Sequence, residues 1–287
     1  MRPAFDETAL AEGRSQKSKT GTTWAQMICA LLIFGEPQLP ASLGRLSPWL
    51  DHLVAPRAEV YALLATQQHR PFIKTHTPLD GLPIDPRTSY LVTARHPLDA
   101  AVSSYHHCAN LDEARWRQLM GDPEPPAPPP PEPLHDWLLR WIADDTHPAE
   151  DLDTLPGLMC HLTDAWARRR EPNVLLVHYE SLCADLDGQM RWLASRLGIT
   201  VPECAWPPLV RAARFENMAA RADQLIPAPG LFKNNAAFFR RGTSGAGREI
   251  LSNAELASYH ARVAGMAPPD MLAWLHSPRP GPVTAMP

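Results

Sequence analysis

Residues 17–24 read K-S-K-T-G-T-T-W, and the apolar stretch A-Q-M-I-C-A-L-L-I-F follows at 25–34. Trp24, Met27, Ile28, Leu31 and Leu32 recur at intervals of three and four, which predicts a helix over 23–34. Gly21 lets the backbone approach an anion closely, and the N–H groups after it point out of the helix N-terminus. Lys19 adds a point charge, and Thr22 and Thr23 add hydroxyl donors. The standard nucleotide loop, G-x-x-x-x-G-K-[ST], places its lysine after the second glycine, whereas Lys19 precedes Gly21. On these residues alone a phosphate cradle and an ordinary Thr-Thr helix cap both stand.

Working outward, three short apolar runs end in polar residues: Phe72-Ile73 before Lys74-Thr75-His76, Tyr90 to Thr93 before Ala94-Arg95-His96-Pro97, and Val174 to Val177 before His178-Tyr179-Glu180. Such runs read as strands of a parallel sheet buried on both faces. Helical patterns separate them, among them Glu59 to Gln68, so the expected class is α/β: a single domain with a central parallel, doubly wound sheet flanked by helices. Ligands collect at the carboxyl ends of such strands, where all three runs put their polar residues.

A chain of 287 residues with 45% hydrophobic residues can bury one sizeable core, and a net charge of −4 argues against general nucleic-acid binding. The five cysteines (Cys29, Cys108, Cys160, Cys183, Cys204) have no metal-site or disulfide spacing. No apolar leader or membrane-length run is visible, so a cytoplasmic chain without a membrane span is expected. Gly121 to Pro133 (G-D-P-E-P-P-A-P-P-P-P-E-P) reads as an extended polyproline insertion on the surface, and the tail from Ser277 as disordered.

Three further stretches carry candidate chemistry. Lys74 and His76, one residue apart at a strand end, face one side; His76 is either a general base or a structural histidine. Arg95 and Ser103, eight residues apart, suit a bidentate phosphate clamp with a completing hydroxyl; the alternative is an Arg95–Asp99 pair. Phe238-Phe239-Arg240-Arg241-Gly242-Thr243-Ser244-Gly245 reads as a second clamp beside an aromatic surface, or as a solvated basic turn.

Together and in this order, these pieces resemble the cytosolic type of sulfotransferase that uses 3'-phosphoadenosine-5'-phosphosulfate. That family opens with P-K-[SA]-G-T-T-W, matched from Lys19 through Thr20, Gly21, Thr22, Thr23 and Trp24. Its K-T-H element is matched by Lys74, Thr75 and His76; its arginine and serine for the 3'-phosphate by Arg95 and Ser103; its late R-K-G-x-x-G by Arg240, Arg241, Gly242 and Gly245. The stretches S-P-W-L-D, Q-Q-H-R-P-F-I-K-T-H-T-P-L-D-G-L and A-P-P-D-M-L-A-W are similar to mycobacterial-type glycolipid sulfotransferases. The resemblance spans about Ser18 to Tyr259, within a domain bounded at 18–276.

The resemblance implies sulfuryl transfer from 3'-phosphoadenosine-5'-phosphosulfate to a hydroxyl acceptor, a glycolipid or another small molecule. His76 would act as base, and Lys19 with Lys74 would support the leaving group. Arg95, Ser103, Arg240, Arg241 and Gly242 would hold the 3'-phosphate; Tyr179, Phe215, Met218 and Phe238 would border the adenine. No metal and no nucleic-acid partner is implied, and membrane contact would be peripheral only. A nucleotide kinase, or a donor-binding protein with impaired catalysis, is the competing reading. Family members precede the loop with an apolar strand, whereas residues 6–18 (D-E-T-A-L-A-E-G-R-S-Q-K-S) are mostly polar, so a defective or missing first strand is expected at 1–17.

Overall fold

The computed structural model describes residues 19–50, 56–120, 132–227 and 229–277. The segment 1–17, most of the proline-rich stretch (121–131) and the tail from 278 lie outside the described residues.

Two of the three expected strands form. β1 (Tyr90–Ala94) and β2 (Val174–His178) pair in parallel, Tyr90 opposite Val174 through Ala94 opposite His178. Every residue of β2 is buried, as a strand covered on both faces requires. Its side chains alternate between two cores. Val174 and Leu176 join Val92 and Ala94 against the helices Pro97–Asn110, Leu134–Ala143 and Leu155–Ala167 and the C-terminal helices Asn253–Ala264 and Pro269–His276. Leu175 and Val177 face the opposite core, built with α1 (Thr22–Phe34), Leu186–Leu197 and Trp206–Ala212. The result is the expected α/β arrangement with helices on both sides of a parallel sheet.

α1 begins one residue after, and ends one residue before, two glycines with left-handed backbone, Gly21 (φ +111) and Gly35 (φ +68). Gly35 closes the helix by donating from its N–H to the Leu31 carbonyl at 2.9 Å. The helix expected at 59–68 runs over Arg57–Thr66.

The Phe72-Ile73 run does not form a strand. Its backbone makes only an isolated parallel bridge, Lys74 opposite Trp49, with Lys74 N–H donating to Pro48 (3.0 Å) and Leu50 N–H donating to Lys74 (2.8 Å). The physical reason is burial: Phe72 packs on the α1-side core, but Ile73 is 46% exposed, and Pro71 withholds a donor just before it. A two-residue run covered on one side only does not sustain a ladder.

At the carboxyl end of β1, His96 caps the helix Pro97–Asn110. Its Nδ1 accepts from the Leu98 N–H at 3.3 Å, which requires the neutral ring. Burial, then the charges of His276 and Arg248, lower the His96 pKa to about 3; burial, then His260 and Arg248, lower that of His276 to about 4. The two rings lie 4.8 Å apart, and His276 Nε2 meets the Tyr259 hydroxyl at 2.9 Å. Both folded-state values sit below the ordinary histidine value. Their stabilisation is therefore complete above about pH 6.5 and is lost as pH falls toward 4. For His96 alone the loss between pH 6.5 and 5 is about 2 kcal/mol. The melting temperature is expected to fall by several degrees over that interval, and His96→Asn should flatten the decline; a pH-independent melting temperature for the unaltered chain would refute it.

Candidate active site

The loop before α1 owes its path to Gly21. A Cβ there would lie 3.2 Å from the Tyr179 ring, at a backbone angle that other residues adopt only with strain. Thr20 is buried beneath the loop, its Oγ1 2.8 Å from Thr93 Oγ1. Trp24 donates from Nε1 to the Ala213 carbonyl at 2.8 Å and meets Tyr179 edge-on at 5.2 Å. The first turn of α1 contains no acidic residue, so the positive end of its dipole faces no carboxylate of its own.

The ends of β1 and β2 supply the next layer. Arg95 follows β1 and stacks its guanidinium 4.1 Å from the Tyr179 ring, which follows β2. Arg95 Nη2 donates to the Thr243 carbonyl at 3.0 Å, while its buried Nε–H has no hydrogen-bond partner. Asp99 is engaged away from Arg95: its two oxygens accept from the amides of Gly245 (2.7 Å) and Gly247 (2.9 Å). That clasp, with Ser244 Oγ donating to Glu180 at 2.8 Å, draws the 240–247 loop onto the strand ends. Gly242 (φ +68) passes so close to Phe215 that a Cβ would lie 2.6 Å from its ring. Arg241 points to Glu249, donating to both carboxylate oxygens at 2.8 and 2.7 Å. Burial, then Arg241 and Arg95, lower the pKa of Arg240.

Lys74 and His76 converge although their strand is absent. The Lys74 ammonium sits 3.7 Å above the Trp49 ring, and the His76 ring meets the same indole edge-on at 5.0 Å. Lys19 lies over Phe238 at 3.9 Å. Burial first, then the charges of Lys74 and Arg95, lower the Lys19 pKa to about 7. Crowded cations of this kind mark a place prepared for an anion.

One cleft, enclosing about 1120 Å³ of space partly open to solvent, is lined by all of the expected site residues except Thr20. Among the described residues its wall includes Lys19, Lys74, Arg95, Arg240 and Arg241 and no carboxylate. An apolar part of the wall comprises Leu111, Trp116, Pro227, Leu231 and Phe232, with His107 edge-on to Phe232 at 5.1 Å. Sequence reading missed Trp49, His107, Trp116 and Phe232 on this wall; Phe239 had been read only as part of an aromatic surface, Thr93 only as a strand residue and Asp99 only as a partner for Arg95. Trp49 stood in the S-P-W-L-D stretch without a role of its own. Trp116 and Phe232 are single residues in unremarkable segments, brought in by tertiary folding.

The chain matches the family model of the sulfotransferase domain over residues 17–263. It is 39% identical over 301 aligned positions to a glycolipid sulfotransferase of Mycobacterium bovis (strain BCG / Pasteur 1173P2), covering 96% of this chain and 92% of that one. A glycolipid sulfotransferase of Mycobacterium tuberculosis (strain ATCC 25177 / H37Ra) is likewise 39% identical over 300 positions, with the same coverage of 96% and 92%. Among solved structures, mouse sulfotransferase SULT7A1 complexed with PAP superposes with a TM-score of 0.63 over 95% of this chain and 94% of its own, at 18% identity. The nucleotide-kinase alternative gives way to this agreement of sequence and fold, and the chain belongs to the sulfotransferase family.

Proposed function

We propose that this chain transfers the sulfuryl group of 3'-phosphoadenosine-5'-phosphosulfate to a hydroxyl of a glycolipid-like acceptor. The observation that carries the reading is the gathering of Lys19, Lys74, His76, Arg95 and Arg240 on one cleft. The fit to such a donor has independent support. Arg95 holds a buried, unpartnered Nε–H, and Gly21 and Gly242 lie where a side chain would close the space between loop and aromatic ring. The likeness to PAP-bound and glycolipid-acting relatives points the same way.

Bound there, the donor supplies an activated sulfuryl group on a bisphosphate leaving group. Arg95, Ser103, Arg240 and the Gly242 amide would hold the 3'-phosphate, with Arg241 joining on release from Glu249. Tyr179, Phe215, Met218 and Phe238 would border the adenine. Lys19, the α1 N-terminus and the Thr22 and Thr23 hydroxyls would hold the 5' side, where Lys19 offsets charge growing on the departing oxygen and Lys74 supports it. His76 would take the acceptor hydroxyl's proton at a ring nitrogen. The apolar part of the cleft, Leu111, Trp116, Leu231 and Phe232, offers a surface to the acceptor's lipid portion.

We predict that His76→Ala lowers turnover about a hundredfold or more while PAP affinity stays near normal, because the base acts on the acceptor. Near-normal turnover would remove His76 from the mechanism; PAP binding without turnover by the unaltered chain would favour a donor-binding protein with impaired catalysis. A second expected outcome concerns the donor. Adenosine 5'-phosphosulfate, which lacks the 3'-phosphate, should bind far more weakly than the full donor, since the Arg95 donors are left unpaired. Equal affinities in calorimetry would sink the clamp assignment. Thirdly, Lys19 is largely neutral above pH 7 in the free protein, and an anion beside it raises its pKa. PAP binding at about pH 8 should therefore take up a proton, read as a binding enthalpy that varies with the buffer's ionisation enthalpy. A buffer-independent enthalpy would contradict it.

A further inference from the structure

The family loop accounts for Thr20, Thr22 and Thr23, but nothing in it accounts for Thr93. This residue lies inside β1 (Y-L-V-T-A), where Val92 and Ala94 turn to one core and Thr93, on the other face, is 9% exposed. Its Oγ1 lies 2.8 Å from Thr20 Oγ1 and 3.4 Å from Thr22 Oγ1. Thr20 is buried and outside the cleft; Thr22 is on its wall. Three hydroxyls thus run from the interior to the anion cradle, and each has one proton to give.

The direction of donation decides what Thr22 presents to a ligand. If Thr22 donates inward to Thr93, only its lone pairs face the cleft, and they repel an anion. If Thr20 donates to Thr93 and Thr93 donates to Thr22, the Thr22 proton is left to point into the cleft, and its oxygen is polarised by the bond it accepts. We infer that Thr93 is a positioning residue: its hydroxyl orients the Thr22 O–H toward the 5' phosphosulfate of the donor and ties the loop to β1. The inference rests on the donor reading above. An anion selects the outward order, so the three hydroxyls are set in the order Thr20 to Thr93 to Thr22 when the donor is held.

The test uses the full chain, PAP calorimetry, steady-state turnover and melting temperature. Thr93→Val keeps the shape and removes the hydroxyl. It should weaken PAP binding about tenfold, as expected for a hydrogen bond to a charged group, and lower the melting temperature because Thr20 is left unpaired. Thr93→Ser should restore PAP affinity. The double variant Thr20→Val/Thr93→Val removes the stranded hydroxyl, so its melting temperature should recover while PAP affinity stays about tenfold reduced. Recovery of affinity together with stability in the double variant would make Thr93 merely structural and overturn the inference, as would unaltered PAP affinity in Thr93→Val. Failure of the unaltered chain to bind PAP would overturn the donor reading itself, and this inference with it.

Discussion

Two adjacent strands buried on both faces set the terms for everything polar in this protein. β2 has no exposed position, and the lower part of β1 is equally enclosed, so charged side chains can emerge only where the strands stop. Arg95 follows β1 and Tyr179 follows β2, and because the register holds Ala94 opposite His178, these two meet face to face. The cradle before α1 reaches the same point through Thr20 and Thr93. The cleft is a consequence of parallel pairing with helices on either side.

The second theme is how the basic side chains of the cleft are held. Lys19, Lys74 and Arg95 each lie over an aromatic ring, Phe238, Trp49 and Tyr179, at 3.9, 3.7 and 4.1 Å. A ring face attracts a cation by its quadrupole and contributes on the order of 0.5–2 kcal/mol, less than a well-made carboxylate pair in the same setting. The rings hold these three groups in place on the cleft wall. Arg241 is the contrast: at the rim it already has Glu249. Carboxylates do their work one layer back, where Asp99 and Glu180 hold the backbone and Ser244 of the loop that follows Arg240 and Arg241.

How much of this was legible beforehand follows from the range of each interaction. V-L-L-V identified β2, and the spacing of Trp24, Met27, Ile28 and Leu31 identified α1, because burial imposes a local period on local residues. The loop glycine, the K-T-H element and the two arginine stretches were visible because close backbone approach and anion chemistry each demand a few residue types at short spacing. The Phe72-Ile73 strand was misread for a related reason: two apolar residues cannot reveal whether one face or both will be covered, and here Ile73 stays open.

The sequence by itself determined the class of fold and the family, since both are carried by short patterns of residues close together in the chain. Only the tertiary structure decided that Trp49 carries both Lys74 and His76, that Asp99 serves the 245–247 amides, that Arg241 rests on Glu249 and that Thr93 joins the cradle to the sheet. These contacts join residues from 8 to 148 positions apart. A side chain's partner across such a distance depends on how two buried faces of one sheet are covered, and no local pattern encodes that.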